Sequence, residues 1–150
     1  MTVTQPLHAH HKRCDELFAL AEESAHHSRW GQCDDRFALF RGELESHFDT
    51  EEQLLFPAFE AVNGSTSGPP QVMRIEHQQM RGLMAELAQA LESRNTKAFA
   101  GLAETLLVLM QQHNMKEEYI LYPLCDRTLA SAQLPVADDL RQRTASACGE

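Results

Sequence analysis

The sequence predicts an all-α protein, an up-down-up-down four-helix bundle with an internal pseudo-two-fold repeat and a short C-terminal extension. Three observations carry that prediction. Ala, Leu, Glu, Gln and Met are abundant, while Val, Ile and Thr are few and do not alternate. Four segments place apolar residues three and four apart, the spacing of one helix face. The connections between them are short, and short connections force neighbouring helices antiparallel.

The expected helices run from about Leu7 to His27, Cys33 to Val62, Gln71 to Glu92 and Lys97 to Leu129. At ~1.5 Å per residue they are rods of roughly 30 to 45 Å, a matched set for a bundle. Ser28-Arg29-Trp30-Gly31 reads as the first turn. Asn63 to Pro70 is an obvious loop: Gly64 suits a helix end, and the two prolines suit the next helix start. Ser93-Arg94-Asn95-Thr96 is the weakest break. Pro57 and Pro123 each remove a backbone donor inside or just past a long helix, so kinks or local breaks are expected there. A polar segment after Pro135 reads as one more outer helix. The chain is therefore expected to be one domain over 1–150, with the bundle over about 7–130 and a tail over 131–150.

Composition excludes several functions. The 150 residues supply one core, with 43% apolar and 23% charged residues, which is ordinary globular chemistry. A net charge of −9 argues against a nucleic-acid binder that works through a basic face. The greasiest run, Leu106 to Met110, is far shorter than the roughly 18 residues a membrane span needs. The start, Met-Thr-Val-Thr-Gln-Pro, lacks a basic-then-apolar leader pattern, so a cytoplasmic location is expected. Cys14, Cys33, Cys125 and Cys148 form no C-x-x-C pair, so neither a zinc ribbon nor a thioredoxin-type site is present, and free thiols are expected.

Histidine is the unusual component, eight in 150 residues. His47-Phe48-Asp49-Thr50-Glu51-Glu52-Gln53-Leu54-Leu55-Phe56-Pro57 and His113-Asn114-Met115-Lys116-Glu117-Glu118-Tyr119-Ile120-Leu121-Tyr122-Pro123 both read H-x-x-x-E-E-x-(L/I)-L-(F/Y)-P, 66 positions apart. A single H-x-x-x-E is weak; an eleven-residue pattern that recurs is not. The same offset pairs His11 with His77 and Leu17 with Leu83. It pairs His8 and His10 with Arg74 and Glu76, so it selects His11 from the cluster at the chain's start. His8 and His10 are expected at the surface, as are His26 and His27 at a helix C-terminus.

Residues four apart share a helix face. The expected seams are His11, Cys14, Phe18, Ala21; Phe37, Phe40, Leu44, His47, Glu51, Leu55; Met73, His77, Met80, Met84, Leu87, Leu91; and Leu102, Leu106, Leu109, His113, Glu117, Ile120, Leu124. The polar members lie on the apolar seam. A buried carboxylate without a partner loses several kcal/mol of solvation or takes up a proton. No Lys or Arg sits on these seams beside Glu51 and Glu117 to compensate. The plain alternative for any one seam histidine is a hydrogen-bonded core residue. For His11, His47, Glu51, His77, His113 and Glu117 together, a shared metal is the better reading. The donors are all nitrogen and oxygen, which favours iron or manganese over structural zinc. Six are too many for one tetrahedral zinc and about right for two carboxylate-bridged ions. The other di-metal bundle pattern needs two E-x-x-H motifs; only Glu23 to His26 is present.

These motifs resemble the hemerythrin-like, or HHE cation-binding, family over roughly residues 7–129. The resemblance implies a four-helix bundle around two Fe ions, a non-haem di-iron centre with an oxo or hydroxo bridge. It further implies that His11 and His47 bind one iron, that His77 and His113 bind the other, and that Glu51 and Glu117 bridge both. One departure stands out. The oxygen-carrying members place two histidines four apart on the third helix, whereas here His77 has Met73 before it and Arg81 after it. Glu76, Glu52, Glu118, His10 or solvent could fill the missing position. Glu52 and Glu118 more simply steady a ligand histidine.

The function expected from this resemblance is binding of O2, a related small diatomic or peroxide at an open iron position, for sensing, detoxification or redox use. A redox partner protein would supply electrons; neither nucleic acid nor membrane is an expected partner. The alternative is a storage or structural-metal bundle without turnover. Whether the chain is an enzyme is left open.

Overall fold

The structure is a computed structural model that describes residues 2–130 and 142–143. It contains helices α1 (Gln5–His26), α2 (Trp30–Thr50), α3 (Phe56–Asn63), α4 (Pro69–Glu92), α5 (Thr96–Lys116) and α6 (Tyr122–Ala130). A π-helical segment, Glu51–Leu55, joins α2 to α3, and a second, Glu117–Leu121, joins α5 to α6. The described residues contain no strand. Four rods therefore result, two of them interrupted by a wide turn.

Local chemistry sets the rod ends. Pro6 lies in the first turn of α1, and Pro69 and Pro70 open α4, where a missing N–H costs nothing. Ser28 reverses the chain alone, with φ of 55°. The helix consequently restarts at Trp30, earlier than the expected Cys33. Gly64, at φ 79°, ends α3 in the left-handed region that glycine enters without strain. The weakest expected break is real: Arg94 has φ 51°, and the Asn95 side chain caps α5 by accepting from Ala98 N at 3.0 Å.

The hairpins α1–α2 and α4–α5 pack side by side. Two apolar layers fill the bundle. The larger contains Phe18, Phe37, Phe40, Phe48, Met80, Met84, Leu106 and Met110. The smaller contains Leu7, Leu55, Phe56, Phe59, Leu121, Tyr122, Cys125 and Leu129. The seams expected for α1, α2 and α4 are all buried. The α5 seam is not as expected: Ala103 and Met110 face inward, Leu102 and Leu109 are half-buried, and Ile120 is 61% exposed.

The π segments explain Ile120 and the two prolines. Five residues along an α-helix leave the last side chain roughly 140° from the face of the first. Here Phe56 N–H bonds Glu51 O, and Tyr122 N–H bonds Glu117 O, so those five residues make one wide turn. Leu55 and Phe56 are both buried as a result, as are Leu121 and Tyr122, and Ile120 is turned out. The breaks expected at Pro57 and Pro123 are these turns; they begin at the glutamates themselves, not one to two turns beyond them. Wide turns of this kind gather at functional sites. The outer helix expected after Pro135 lies outside the described residues except at 142–143, which are helical; Arg143 donates to Gln53 Oε1 at 3.0 Å. Cys148 lies outside them too, while Cys14, Cys33 and Cys125 are buried, Cys33 and Cys125 as free thiols.

Candidate metal centre

One polar layer separates the two apolar ones. Helix α1 contributes His10 and His11, α2 Glu43 and His47, α4 His77, α5 His113, and the π segments Glu51 and Glu117; Tyr122 enters from α6. All are buried, and Glu51, His77 and Glu117 are 0% exposed.

The imidazole Nε2 atoms point inward. His11 Nε2 lies 2.9 Å from Glu117 Oε1, and His77 Nε2 lies 3.0 Å from Glu51 Oε1, the same contact in the two halves of the repeat. His47 Nε2 is 3.5 Å from Glu51 Oε2, and His113 Nε2 is 3.4 Å from Glu117 Oε1. Two groups of donors result: His11, His47, Glu51, Glu117 and Glu51, His77, His113, Glu117. Within each group the donor atoms lie no more than 4.8 Å apart, and the two glutamates belong to both. All six residues singled out in the sequence therefore meet at one place.

The outer Nδ1 atoms are each held. Glu118 Oε2 takes His11 Nδ1 at 2.7 Å, and Glu52 Oε2 takes His77 Nδ1 at 2.6 Å. Glu76 Oε1 takes His113 Nδ1 at 2.8 Å, with Lys116 paired to the other Glu76 oxygen. His10 Nδ1 lies 3.1 Å from His47 Nδ1, and His10 Nε2 lies 2.8 Å from Glu43 Oε2. Fixing the outer nitrogen orients the ring and leaves the inner lone pair for a cation.

This arrangement corrects two expectations. His10 is not at the surface: it is buried and supports His47, while His8 is exposed as expected. None of Glu52, Glu76, Glu118 or His10 fills the place of a missing histidine; each grips a ring from outside. Of the two positions four residues from His77, Met73 is buried in the smaller apolar layer, and Arg81 turns outward to Glu45 and Glu52. Three contributors were overlooked as site residues: Glu43, Tyr122 and, in its supporting role, Glu76. The 66-residue offset pairs His10 with Glu76, and these two do the same job on His47 and His113. The signal was present, but it preserved a role and not a residue type.

Electrostatics bind the layer together. Burial alone would lower the His47 pKa, but the Glu51 and Glu117 carboxylates beside it outweigh burial and raise it to about 10. Burial opposes and Glu117 again prevails at His113, which rises to about 9. Glu52, despite burial, is held at about 2 by His77 and Arg81. His10 is lowered by burial and by His47. Burial and the two carboxylates push the Tyr122 phenol well above its ordinary value.

The donors fit a cation. Among the described residues neither Glu51 nor Glu117 pairs with Lys or Arg. His113 Nε2 and Glu117 Oε2 are buried with no hydrogen-bond partner. Orphaned buried polar atoms are costly, and a bound ion removes that cost.

A helical bundle with such a buried His/Glu cluster is a metal-binding bundle. The sequence profile of the hemerythrin HHE cation-binding domain matches residues 2–125, and the chain belongs to that family. No curated protein and no solved structure matches the chain. Among the described residues no helix is long and apolar enough to cross a membrane.

Proposed function

We propose that the chain holds two iron ions, one in each donor group, and that the pair binds O2, a related small diatomic or peroxide. The observation that carries this reading is the sharing of Glu51 and Glu117 by two His/Glu groups whose donor atoms lie within 4.8 Å of one another. Carboxylates common to two sites bridge two ions, and an all-nitrogen and oxygen donor set suits iron. A bound iron pair would supply electrons and an open coordination position.

The chain's own residues prepare the place. Phe48, Met80 and Met110 on one side and Leu55, Phe56 and Leu121 on the other exclude water from the polar layer. Exclusion strengthens each electrostatic contact inside it. Glu52, Glu76, Glu118 and His10 hold the imidazoles in the orientation a cation needs. Re-reduction after each encounter would draw on an external electron-donating protein in the cytoplasm.

Anaerobic loading with ferrous iron followed by air tests the reading. The expected result is two irons per chain and a new oxo-to-iron absorption band. Uptake of fewer than one iron per chain would overturn it, and two irons inert to air would leave storage or a structural clip as the role. Replacing both His47 and His113 by Ala should abolish uptake.

A further inference from the structure

We propose that the Tyr122 phenol oxygen is a ligand of the ion held by His11 and His47, and that the position open to a small exogenous ligand lies on the other ion, between His77 and His113. The inference rests on the two-ion reading above and concerns which of the two positions is open.

The repeat makes the comparison. Tyr122 stacks on His11 with ring centres 5.6 Å apart and planes 18° apart. Phe56, 66 positions earlier, stacks on His77 at 5.9 Å and 21°. The two rings occupy equivalent places, each delivered by its π turn. Only one carries an oxygen.

That oxygen is central to the first donor group. It donates to Glu51 Oε2 at 2.6 Å and lies 3.1 Å from Glu117 Oε1. It is also 3.3 Å from His11 Nε2 and 3.3 Å from His47 Nε2. Metal–donor bonds are roughly 2.0–2.2 Å. An ion that takes all four donors must therefore sit against the phenol oxygen. Retreat of the ring is blocked, because Tyr122 is buried in the smaller apolar layer with Leu7, Cys125 and Leu129. The oxygen becomes a further donor, and its proton is released to solvent as the ion takes its place.

The second group receives no such oxygen from Phe56. The orphaned His113 Nε2 belongs to this second group alone, while Glu117, which carries the orphaned Oε2, is common to both. A small cleft of about 20 Å³ reaches His113 from outside between Met80 and Leu109, with the Glu76–Lys116 ion pair at its rim. The chemistry points to a diatomic or small anion as the exogenous ligand.

The full chain loaded with ferrous iron and oxidised to the ferric state tests the inference by electronic absorption and resonance Raman. The expected spectrum has a visible phenolate-to-iron band with enhanced tyrosine ring modes. Tyr122→Phe should lose both at unchanged iron stoichiometry. A wild-type chain with two irons and no phenolate signature would overturn the inference while leaving the two-ion reading intact; failure to take up iron would overturn both. Azide locates the open position. Phe56→Tyr, which supplies the matching oxygen, should weaken azide binding by roughly tenfold or more, whereas Phe56→Leu should not. Equal azide affinity in the wild type and Phe56→Tyr would show that the open position is elsewhere.

Discussion

His10 Nδ1 lies 3.1 Å from His47 Nδ1, so once a cation replaces the proton on His47 Nε2, one of two neutral imidazoles must donate to the other. Glu43 decides which. Its carboxylate, 2.8 Å from His10 Nε2, requires the proton there, and His10 Nδ1 is left as an acceptor. His47 must then donate from Nδ1, and its Nε2 lone pair faces the centre. A tautomer set at Glu43 is thus passed through two rings. Loss of such a support commonly costs about 10–100-fold in metal affinity. His10→Phe should weaken one of the two irons by that factor and spare the other, giving a two-phase chelator titration. A single phase matching the wild type would show that His10 is only a buried core residue.

Much of the bundle was legible because helix periodicity and the 66-residue repeat are both local patterns. The α1, α2 and α4 seams follow from 3.6-residue spacing alone. The α5 seam misled because Leu102 and Leu109 look as apolar as Ala103 and Met110, and side-chain type does not separate a half-buried leucine from a core alanine. Ile120 misled for another reason. The π turn at Glu117–Leu121 changes the period for one turn, and no residue in it announces that. The same turn hid Tyr122, which five residues of ordinary helix would have aimed away from Glu117. His10 was hidden by the rule that selected His11: demanding the same residue type at the offset discards a histidine whose counterpart is Glu76.

Metal binding to the folded state alone must raise stability. At a free ion concentration of 100 times the dissociation constant, the gain is about 2.7 kcal/mol. For a chain of this size each kcal/mol moves the midpoint by roughly 2–4 °C, so loading should raise Tm by roughly 5–10 °C. Calorimetry with and without a chelator measures this. A chelator-insensitive midpoint would mean that the His/Glu cluster is a metal-free polar network.

Glu60 and Arg74 tie the end of α3 to α4 away from the cluster, with paired contacts of 2.7 and 2.8 Å. The Arg74 guanidinium holds the Glu60 carboxyl below its ordinary value of 4.5. A carboxylate depressed in the folded state stabilises fully above its unfolded pKa, and that contribution disappears as pH falls through the folded value. Glu60→Gln should therefore cost about 1–2 kcal/mol at neutral pH. The deficit should shrink below about pH 4.5 and vanish in stronger acid. A deficit that does not change with pH would assign the cost to packing, since Arg74 also lies over the Phe56 ring at 5.3 Å.

Phe40 and Phe48 separate the stability of the bundle from the alignment of its centre. Phe40 is 0% exposed and packs on Phe18 at 4.7 Å between ring centres, within the larger apolar layer. Phe48 is equally enclosed, but its ring stacks on His77 at 4.0 Å, and Arg81 covers it at 5.2 Å. Truncating either to Ala removes a buried ring and leaves a cavity, at a cost of roughly 3–5 kcal/mol. Only Phe48→Ala also frees the face of His77, whose Nδ1 remains gripped by Glu52 while its plane loses its support. Iron affinity, measured under conditions where both variants remain folded, should fall for Phe48→Ala and stay near wild type for Phe40→Ala. Equal losses in the two variants would mean that the centre responds to overall stability, and that the stacked ring does not position His77.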